Sequence, residues 1–121
     1  MQVIGYRGRT PVPEIGFKRP IDISSSDFDG TDTANIPDSA KTLESNGSKF
    51  NPWERGFLIQ APATDGIIYC LMFEDYKRQA YTIDDTLLQP VYVTAGQWSN
   101  DRVIKVYTAD NTSDTTIYIG V

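Results

Sequence analysis

Apolar residues alternate with polar ones over much of the second half of the chain, which is typical of β-strands that bury one face. The alternation is clearest at 102–108 and 115–121, and Ile104 and Val106 share one face of the first of these segments. Strong turn residues at 110–114 lie between them. We therefore expect the two segments to pair as a hairpin that closes over the core.

A continuous apolar run at 67–73 predicts a central strand that is covered on both faces. Residues 74–77 are predicted to turn the chain. Pro20 interrupts an alternating segment at 14–23 and predicts an edge strand or a bulge there. Further strands are predicted at 57–60, at 79–83 and at 87–93, where Pro90 again indicates an edge or a bulge.

Short strands at spacings of about 10–12 residues are typical of antiparallel sheets rather than of βαβ units. The sequence therefore predicts an all-β fold, an antiparallel β-sandwich of jelly-roll type. A chain of 121 residues fits one domain. We assign that domain to residues 14–121 and expect residues 1–13, with Pro11 and Pro13, to form an extended N-terminal arm.

The segment 24–54 is polar and rich in turn residues, so it cannot form much core by itself. It is predicted to be a long loop, and a loop of this length in a compact domain is usually functional or lies over a partner. A short helix is predicted within it, with Asp38 as N-cap, 39–44 as its body and Asn46-Gly47 as its end.

The net charge of −5 argues against a nucleic-acid partner, which requires clustered Lys and Arg. The charge is nevertheless uneven, because residues 1–20 carry a net +3 and the remainder carries −8. A basic segment on an acidic body predicts docking on an acidic neighbouring subunit, the alternative being an ordinary solvated chain end. The basic residues of this segment are Arg7, Arg9, Lys18 and Arg19.

The chain contains no histidine and a single cysteine, Cys70, inside the apolar run. Histidine is the commonest general base and metal ligand, and Cys70 is expected to be a small buried hydrophobe. We therefore expect no enzymatic activity and no cofactor. No apolar run approaches the roughly 20 residues that span a bilayer, and no signal peptide is expected, so no membrane partner is predicted.

Calcium binding is one chemical hypothesis for the acidic loop, because its oxygen-bearing residues follow an EF-hand-like count. The match is poor, since Asp32 stands where glycine is needed and Asp38 replaces the bidentate glutamate. A solvated loop without a metal is the favoured alternative. The residues at the ligand spacing are Asp27, Asp29, Thr31, Thr33, Asn35 and Asp38.

Two carboxylate pairs, Glu74-Asp75 and Asp84-Asp85, follow predicted strands and have the residue type of glycosidase acid and base groups. Adjacent carboxylates in turns usually serve solubility, which is the favoured interpretation. Exposed aromatic residues could stack on sugars. Trp98 is expected in the core, whereas Trp53 is the more open of the two tryptophans.

The C-terminal third combines Gly96-Gln97-Trp98, the segment 102–107, a Thr-containing turn and the terminal segment 116–121. This arrangement of residue types resembles the small β-sandwich virion proteins of tailed bacteriophages, namely capsid decoration (cement) or auxiliary head proteins. The resemblance is confined to this third of the chain and includes no signature motif.

The resemblance implies a non-enzymatic subunit on the capsid surface of the virion, made in the host cytoplasm, that binds and stabilises the shell. Its partners would be the major capsid protein or other virion subunits, and it would form a homo-oligomer, with a trimer favoured. A carbohydrate- or receptor-binding module and a tail or head–tail connector component remain the alternatives. The contact residues we expect are Arg7, Arg9, Lys18, Arg19, Phe28 and Trp53.

Overall fold

The computed structural model describes residues 18–32, 44–45, 48–49 and 55–120. An α-helix, α1, lies at Phe73–Arg78, and Asp85–Leu87 form a 3₁₀ helix. The strands are β1 (Lys18–Asp22), β2 (Phe28–Asp29), β3 (Glu44–Ser45), β4 (Ser48–Lys49), β5 (Leu58–Gln60), β6 (Gly66–Met72), β7 (Gln89–Val93), β8 (Val103–Val106) and β9 (Thr116–Gly120).

The strands form two antiparallel sheets and a small ribbon. The order is β1-β9-β5 in the three-stranded sheet and β2-β8-β6-β7 in the four-stranded sheet, while β3 and β4 pair with each other. Every strand pair within the described ranges is antiparallel. The prediction of an all-β fold is therefore confirmed, and β6 occupies the interior position predicted for it.

The main hydrophobic cluster receives side chains from both sheets, and we call the sheet faces that carry it the inner faces. Alternation along each strand then defines the outer faces. Burying one large apolar side chain contributes about 1.5–3 kcal/mol, so this cluster is the principal source of stability. Its members are Ile21, Ile23, Phe28, Phe57, Ile59, Ala61, Ile68, Cys70, Val93, Val103, Val106, Ile117 and Ile119.

A second cluster lies on the outer face of the four-stranded sheet, where α1 covers Leu71 and Ile104. Phe73 and Tyr76, three residues apart on α1, supply the helix side of this contact. The predicted turn at 74–77 is therefore wrong. The residues instead form a helix because acidic side chains occupy its first turn, basic ones its last, and its apolar pair is buried.

The predicted strand at 79–83 is also wrong, because the helix ends there in a tight turn. Ala80 and Tyr81 both have a positive φ, which no regular strand can accommodate. The Tyr81 N–H donates to the Tyr76 carbonyl at 2.9 Å, and the Ala80 N–H donates to the Lys77 carbonyl at 3.2 Å. These two hydrogen bonds are those of a Schellman cap.

The predicted terminal hairpin does not form. β8 belongs to the four-stranded sheet and β9 to the three-stranded sheet, so the connection between them crosses from one sheet to the other. Side chains hold this crossing in place. Asn111 Oδ1 accepts from the Tyr69 N–H at 2.8 Å, and Thr112 Oγ1 accepts from the Ile67 N–H at 2.9 Å.

A bulge in β8 also overturns the prediction that Ile104 and Val106 share a face. The register pairs Leu71 with Lys105 and Met72 with Val103, so Ile104 has no partner on β6. Val106 consequently points into the main cluster, whereas Ile104 packs in the second cluster under α1.

Both predicted edge strands are confirmed among the described strands, and each proline lies where the ladder needs no donor. The Ile23 N–H donates to the Thr115 carbonyl, so alternation leaves Pro20 at a non-hydrogen-bonded position. Pro90 pairs with Tyr69, whose backbone groups bond towards Tyr107 and Asn111 on its other side. The nitrogen of each proline therefore faces away from its neighbouring strand.

The long polar segment 24–54 contains structure that was not predicted. β2 pairs with β8, and the β3–β4 ribbon includes Glu44, which was predicted to end the short helix. That prediction is wrong at Glu44, while 39–43 lie outside the described residues, as does the N-terminal arm at 1–13.

Candidate functional site

The residues predicted to contact a partner are not brought together in the described part of the chain. Arg7, Arg9 and Trp53 lie outside the described residues, and Lys18 and Arg19 belong to β1. Phe28 is a core residue with an exposure of 7%. Its ring meets that of Phe57 edge-on, with the centroids 5.5 Å apart. The partner surface considered below therefore excludes Phe28.

The described half of the proposed calcium loop is occupied by hydrogen bonds. Asp27 Oδ1 accepts from the Thr108 N–H at 2.9 Å, and Asp29 Oδ1 accepts from both the backbone N–H and the hydroxyl of Thr31. Among the described residues no group of three or more His, Cys, Asp or Glu side chains could hold a metal ion. The other predicted ligands, Thr33, Asn35 and Asp38, lie outside that part.

The second carboxylate pair has a structural role. Asp84 Oδ1 accepts from the Thr86 N–H at 3.0 Å and starts the 3₁₀ helix. Asp85 Oδ1 accepts from the Tyr107 hydroxyl at 2.5 Å and from Lys105 Nζ at 3.0 Å. The Tyr107 hydrogen bond first, and then Lys105, lower the pKa of Asp85. A carboxylate held charged in this way fixes the 3₁₀ helix to the outer face of β8.

Cys70 is buried, as predicted, in the main cluster. Its Sγ lies 3.7 Å from the Ile68 carbonyl oxygen. Burial raises the pKa of the thiol, which disfavours the nucleophilic thiolate.

A cleft opens between α1 and the start of β7. It has a volume of about 470 Å³. Met72 and Phe73 form its apolar part. Its polar lining consists of Glu74, Asp75, Arg78, Gln89, Asp101 and Arg102, together with Asn100.

Two smaller cavities continue this cleft along β7. One of about 240 Å³ is lined by residues 89–92 and by Asn100 and Asp101. The next is lined by residues 92–94 and 97–100. Each cavity shares lining residues with the one before it, so together they form a groove between β7 and the segment 97–102. We call it the β7 groove.

The polar side chains at the helix end of the β7 groove are linked to one another. Asp75 Oδ2 accepts from Gln89 Nε2 at 2.7 Å, and Asp75 Oδ1 accepts from Arg78 at 3.2 Å. Arg102 lies on the opposite wall and is half-buried. Burial first, and then the positive charge of Arg55, lower its pKa from the ordinary arginine value. The groove thus presents acidic, basic and amide groups within one cavity.

Two aromatic residues lie at the other end of the β7 groove. Tyr92 is 77% exposed and lines both of the smaller cavities. Trp98, which is expected in the core from the sequence, is half-buried. Its bridge to Gln60 and its ring lying against Gly120 attach it to the three-stranded sheet.

Sequence reasoning noted Glu74 and Asp75 but missed most of this groove. Gln89, Asn100 and Arg102 are ordinary polar residues, and no spacing rule connects them. The available signal was Tyr92, an aromatic residue on a strand already predicted to be at an edge because of Pro90.

Comparisons with known proteins identify no relative: no protein family matches the chain, and no curated protein or solved structure is similar to it. No helix in the described part of the chain is both long and apolar enough to cross a membrane.

Proposed function

We propose that the protein is a non-enzymatic structural subunit of a tailed-phage virion, which binds the assembled capsid shell and reinforces it. In this proposal the two sheets form a β-sandwich of jelly-roll type, and the subunit acts as a homo-oligomer, with a trimer favoured. The major capsid protein is the expected partner. The resemblance of residues 96–121 to decoration proteins suggested this role, and the surface of the described residues supports it.

One observation carries the proposal: the exposed large apolar side chains of the described residues lie on the same side of the molecule. Tyr92, 77% exposed, falls on the outer face of the four-stranded sheet by alternation along β7. Leu88, 39% exposed, directly follows the 3₁₀ helix, whose Leu87 packs against the second cluster on that face. Tyr81, 55% exposed, packs edge-on against Tyr76 over that same face. We call this outer face, with Tyr81, Leu88 and Tyr92, the apolar face.

Grouped apolar exposure of this kind is typical of interaction surfaces, and aromatic residues are enriched where binding energy concentrates. The opposite outer face differs. There Leu58 is buried, and two exposed strand residues, Asp22 and Thr116, are polar. The apolar face is therefore the side on which we place the shell.

The sheet edges support docking through side chains rather than through strand addition. Pro20 and Pro90 remove an outward-facing donor from two of the edge strands, β1 and β7. Strand addition at these two edges is therefore disfavoured. The carboxylates of Asp27, Asp29 and Asp85 already accept hydrogen bonds within the fold, which favours a structural role for them over a catalytic one.

The test is co-sedimentation of the purified protein with expanded capsids of the phage that encodes it. We expect saturation at a fixed stoichiometry and, by electron microscopy, density spread over the shell. Density at one vertex would indicate the connector alternative instead. Absence of binding to any virion particle would refute the proposal.

A matched pair of variants tests the surface itself. Leu88→Glu introduces a charge on the apolar face, and Thr116→Glu introduces the same charge on the opposite outer face. Leu88→Glu should weaken capsid binding by about tenfold or more, since burying an unpaired carboxylate is costly. Thr116→Glu should bind like the wild type, and equal binding by both variants would place the shell elsewhere.

A further inference from the structure

We propose that the β7 groove binds an oligosaccharide that is neutral or weakly charged. This inference does not rest on capsid binding: it concerns the cleft between β7 and the segment 97–102, which shares Tyr92 with the apolar face on which the shell is placed. It would give the subunit a second, adhesive activity.

The first step is the chemistry of the lining. A sugar hydroxyl both donates and accepts hydrogen bonds, so it is best matched by a site that offers both kinds of partner. Glu74, Asp75 and Asp101 accept, and the guanidinium groups of Arg78 and Arg102 donate. Planar groups of this type can contact two neighbouring hydroxyls at once.

The second step is charge balance. Three carboxylates and two guanidinium groups line the main cleft, so its formal charge is close to neutral. A phosphate-rich ligand needs an excess of Lys and Arg, and a metal ion needs converging acidic ligands. The main cleft has no excess of basic residues, and no group of metal ligands forms among the described residues. The mixed lining fits hydroxyl groups better than either kind of ion.

The third step is preorganisation. The Asp75 carboxylate bonds both Gln89 and Arg78, which ties one wall of the groove together. Groups that are already held lose less conformational freedom when a ligand binds. Asn100 reaches the groove from the facing segment 97–102 and lines all three cavities.

The fourth step is the aromatic platform. Tyr92 stands where the two smaller cavities meet and leaves most of its ring open to solvent. An open aromatic ring beside polar groups suits the apolar C–H face of a pyranose, whose hydroxyls then point into the groove. Because the cavities continue from α1 to Trp98, we expect a ligand of several sugar units rather than a monosaccharide.

The experiment is binding of the full chain to a printed array of neutral, uronate-containing and sulfated oligosaccharides, followed by calorimetry on the strongest ligand. We expect neutral or uronate-containing oligosaccharides to bind and sulfated ones to bind more weakly. A silent array, or a preference for sulfated glycans, would overturn the proposal.

Variants connect any binding to the groove. Asn100→Ala and Tyr92→Ala should each weaken the affinity by about tenfold. Thr116→Ala is the control, because it truncates an exposed side chain on the opposite outer face, away from the groove, and it should leave the affinity unchanged. The proposal fails if the groove variants bind like the wild type or if the control loses as much affinity. Because Tyr92 belongs to both surfaces, Asn100→Ala, in the groove alone, and Leu88→Glu, on the apolar face alone, keep the two activities distinguishable when sugar binding and capsid binding are measured for each.

Discussion

Two glycines, Gly56 and Gly96, differ in how strongly their surroundings exclude a side chain. Gly56 and Gly96 both adopt a positive φ, +72° and +80°, which disfavours any side chain. Only Gly56 is enclosed as well. A Cβ there would lie 2.9 Å from the Cβ of Phe73 and 2.9 Å from the carbonyl oxygen of Val103, whereas a Cβ at Gly96 would meet nothing within 4 Å.

Gly56→Ala should therefore destabilise the protein by about 2–4 kcal/mol, because overpacking is added to backbone strain. Gly96→Ala, which introduces the strain alone, should cost about 1 kcal/mol. Urea denaturation of both variants measures the difference. Equal losses would mean that Phe73 moves aside freely and that the contact at Gly56 does not restrict the fold.

At the same scale, hydrophobic character alone did not reveal which residues face a partner. Phe28 stands in a polar stretch and was expected to be a contact residue, but a two-residue pairing with β8 brings it into the core. Lys105 and Asp85 form their ion pair across 20 positions of sequence. Such placements depend on strand register, which a single sequence does not display.

At the scale of elements, the end of α1 carries a residue that its geometry does not favour. Ala80 holds the left-handed position of the Schellman cap, with a φ of 54°, where glycine is the usual residue. The edge-on contact between Tyr76 and Tyr81, with ring centroids 5.6 Å apart, is the hydrophobic contact that accompanies this cap. The contact keeps the cap in place despite the strain at Ala80.

Ala80→Gly should therefore stabilise the protein by about 0.5–1 kcal/mol, since removing Cβ relieves more strain than the added unfolded-state freedom costs. An increased urea midpoint with an unchanged slope would confirm this. Ala63→Gly is the control, because Ala63 is exposed and has no positive φ, and it should not raise the midpoint. A lower midpoint for Ala80→Gly would contradict the cap assignment.

Strands could be predicted where the sequence pattern of a segment matches its position in the folded sheet. The apolar run at 67–73 marked the interior strand β6, and Pro20 and Pro90 marked β1 and β7 as edge strands. The apparent terminal hairpin failed for a physical reason. Alternation and a polar turn show that two strands exist, but not whether the turn joins neighbours or crosses between sheets. Asn111 and Thr112 settle that choice through bonds to β6.

The groove was beyond prediction because it exists only at the level of the whole molecule. Its walls come from α1, from the edge of β7 and from a segment that crosses towards β8, and each contributes unremarkable polar residues. Sequence identified Glu74 and Asp75 as an acidic pair. The partners that convert Asp75 into part of a binding wall, Arg78 and Gln89, became visible only when the chain was folded.

The pH dependence of the stability of the whole molecule follows from three carboxylates with a lowered pKa and from the absence of histidine. Hydrogen bonds lower the folded-state pKa of Asp22, Asp85 and Asp114. Asp22 accepts from Ser24, and Asp85 accepts from Tyr107 and Lys105. Asp114 accepts from the backbone N–H groups of Ala63 and Thr64. A lowered pKa means that these groups favour folding above their unfolded pKa, about 3.9, and lose that contribution as the pH falls through the folded value. Histidine, which titrates near neutrality, is absent from the chain.

We therefore expect the urea midpoint to be flat between about pH 5 and pH 8 and to fall below about pH 4. Acid also removes the compensating negative charge from the 11 Lys and Arg residues, which adds repulsion in the same direction. Asp85→Asn separates the two effects, since it removes one lowered pKa and changes the net charge by a single unit. The urea midpoint of Asp85→Asn should be lower than that of the wild type near neutral pH, and it should fall less steeply as the solution is acidified. A step in wild-type stability near pH 6.5, or an acid loss in Asp85→Asn as steep as in the wild type, would show that these hydrogen-bonded carboxylates do not control the profile.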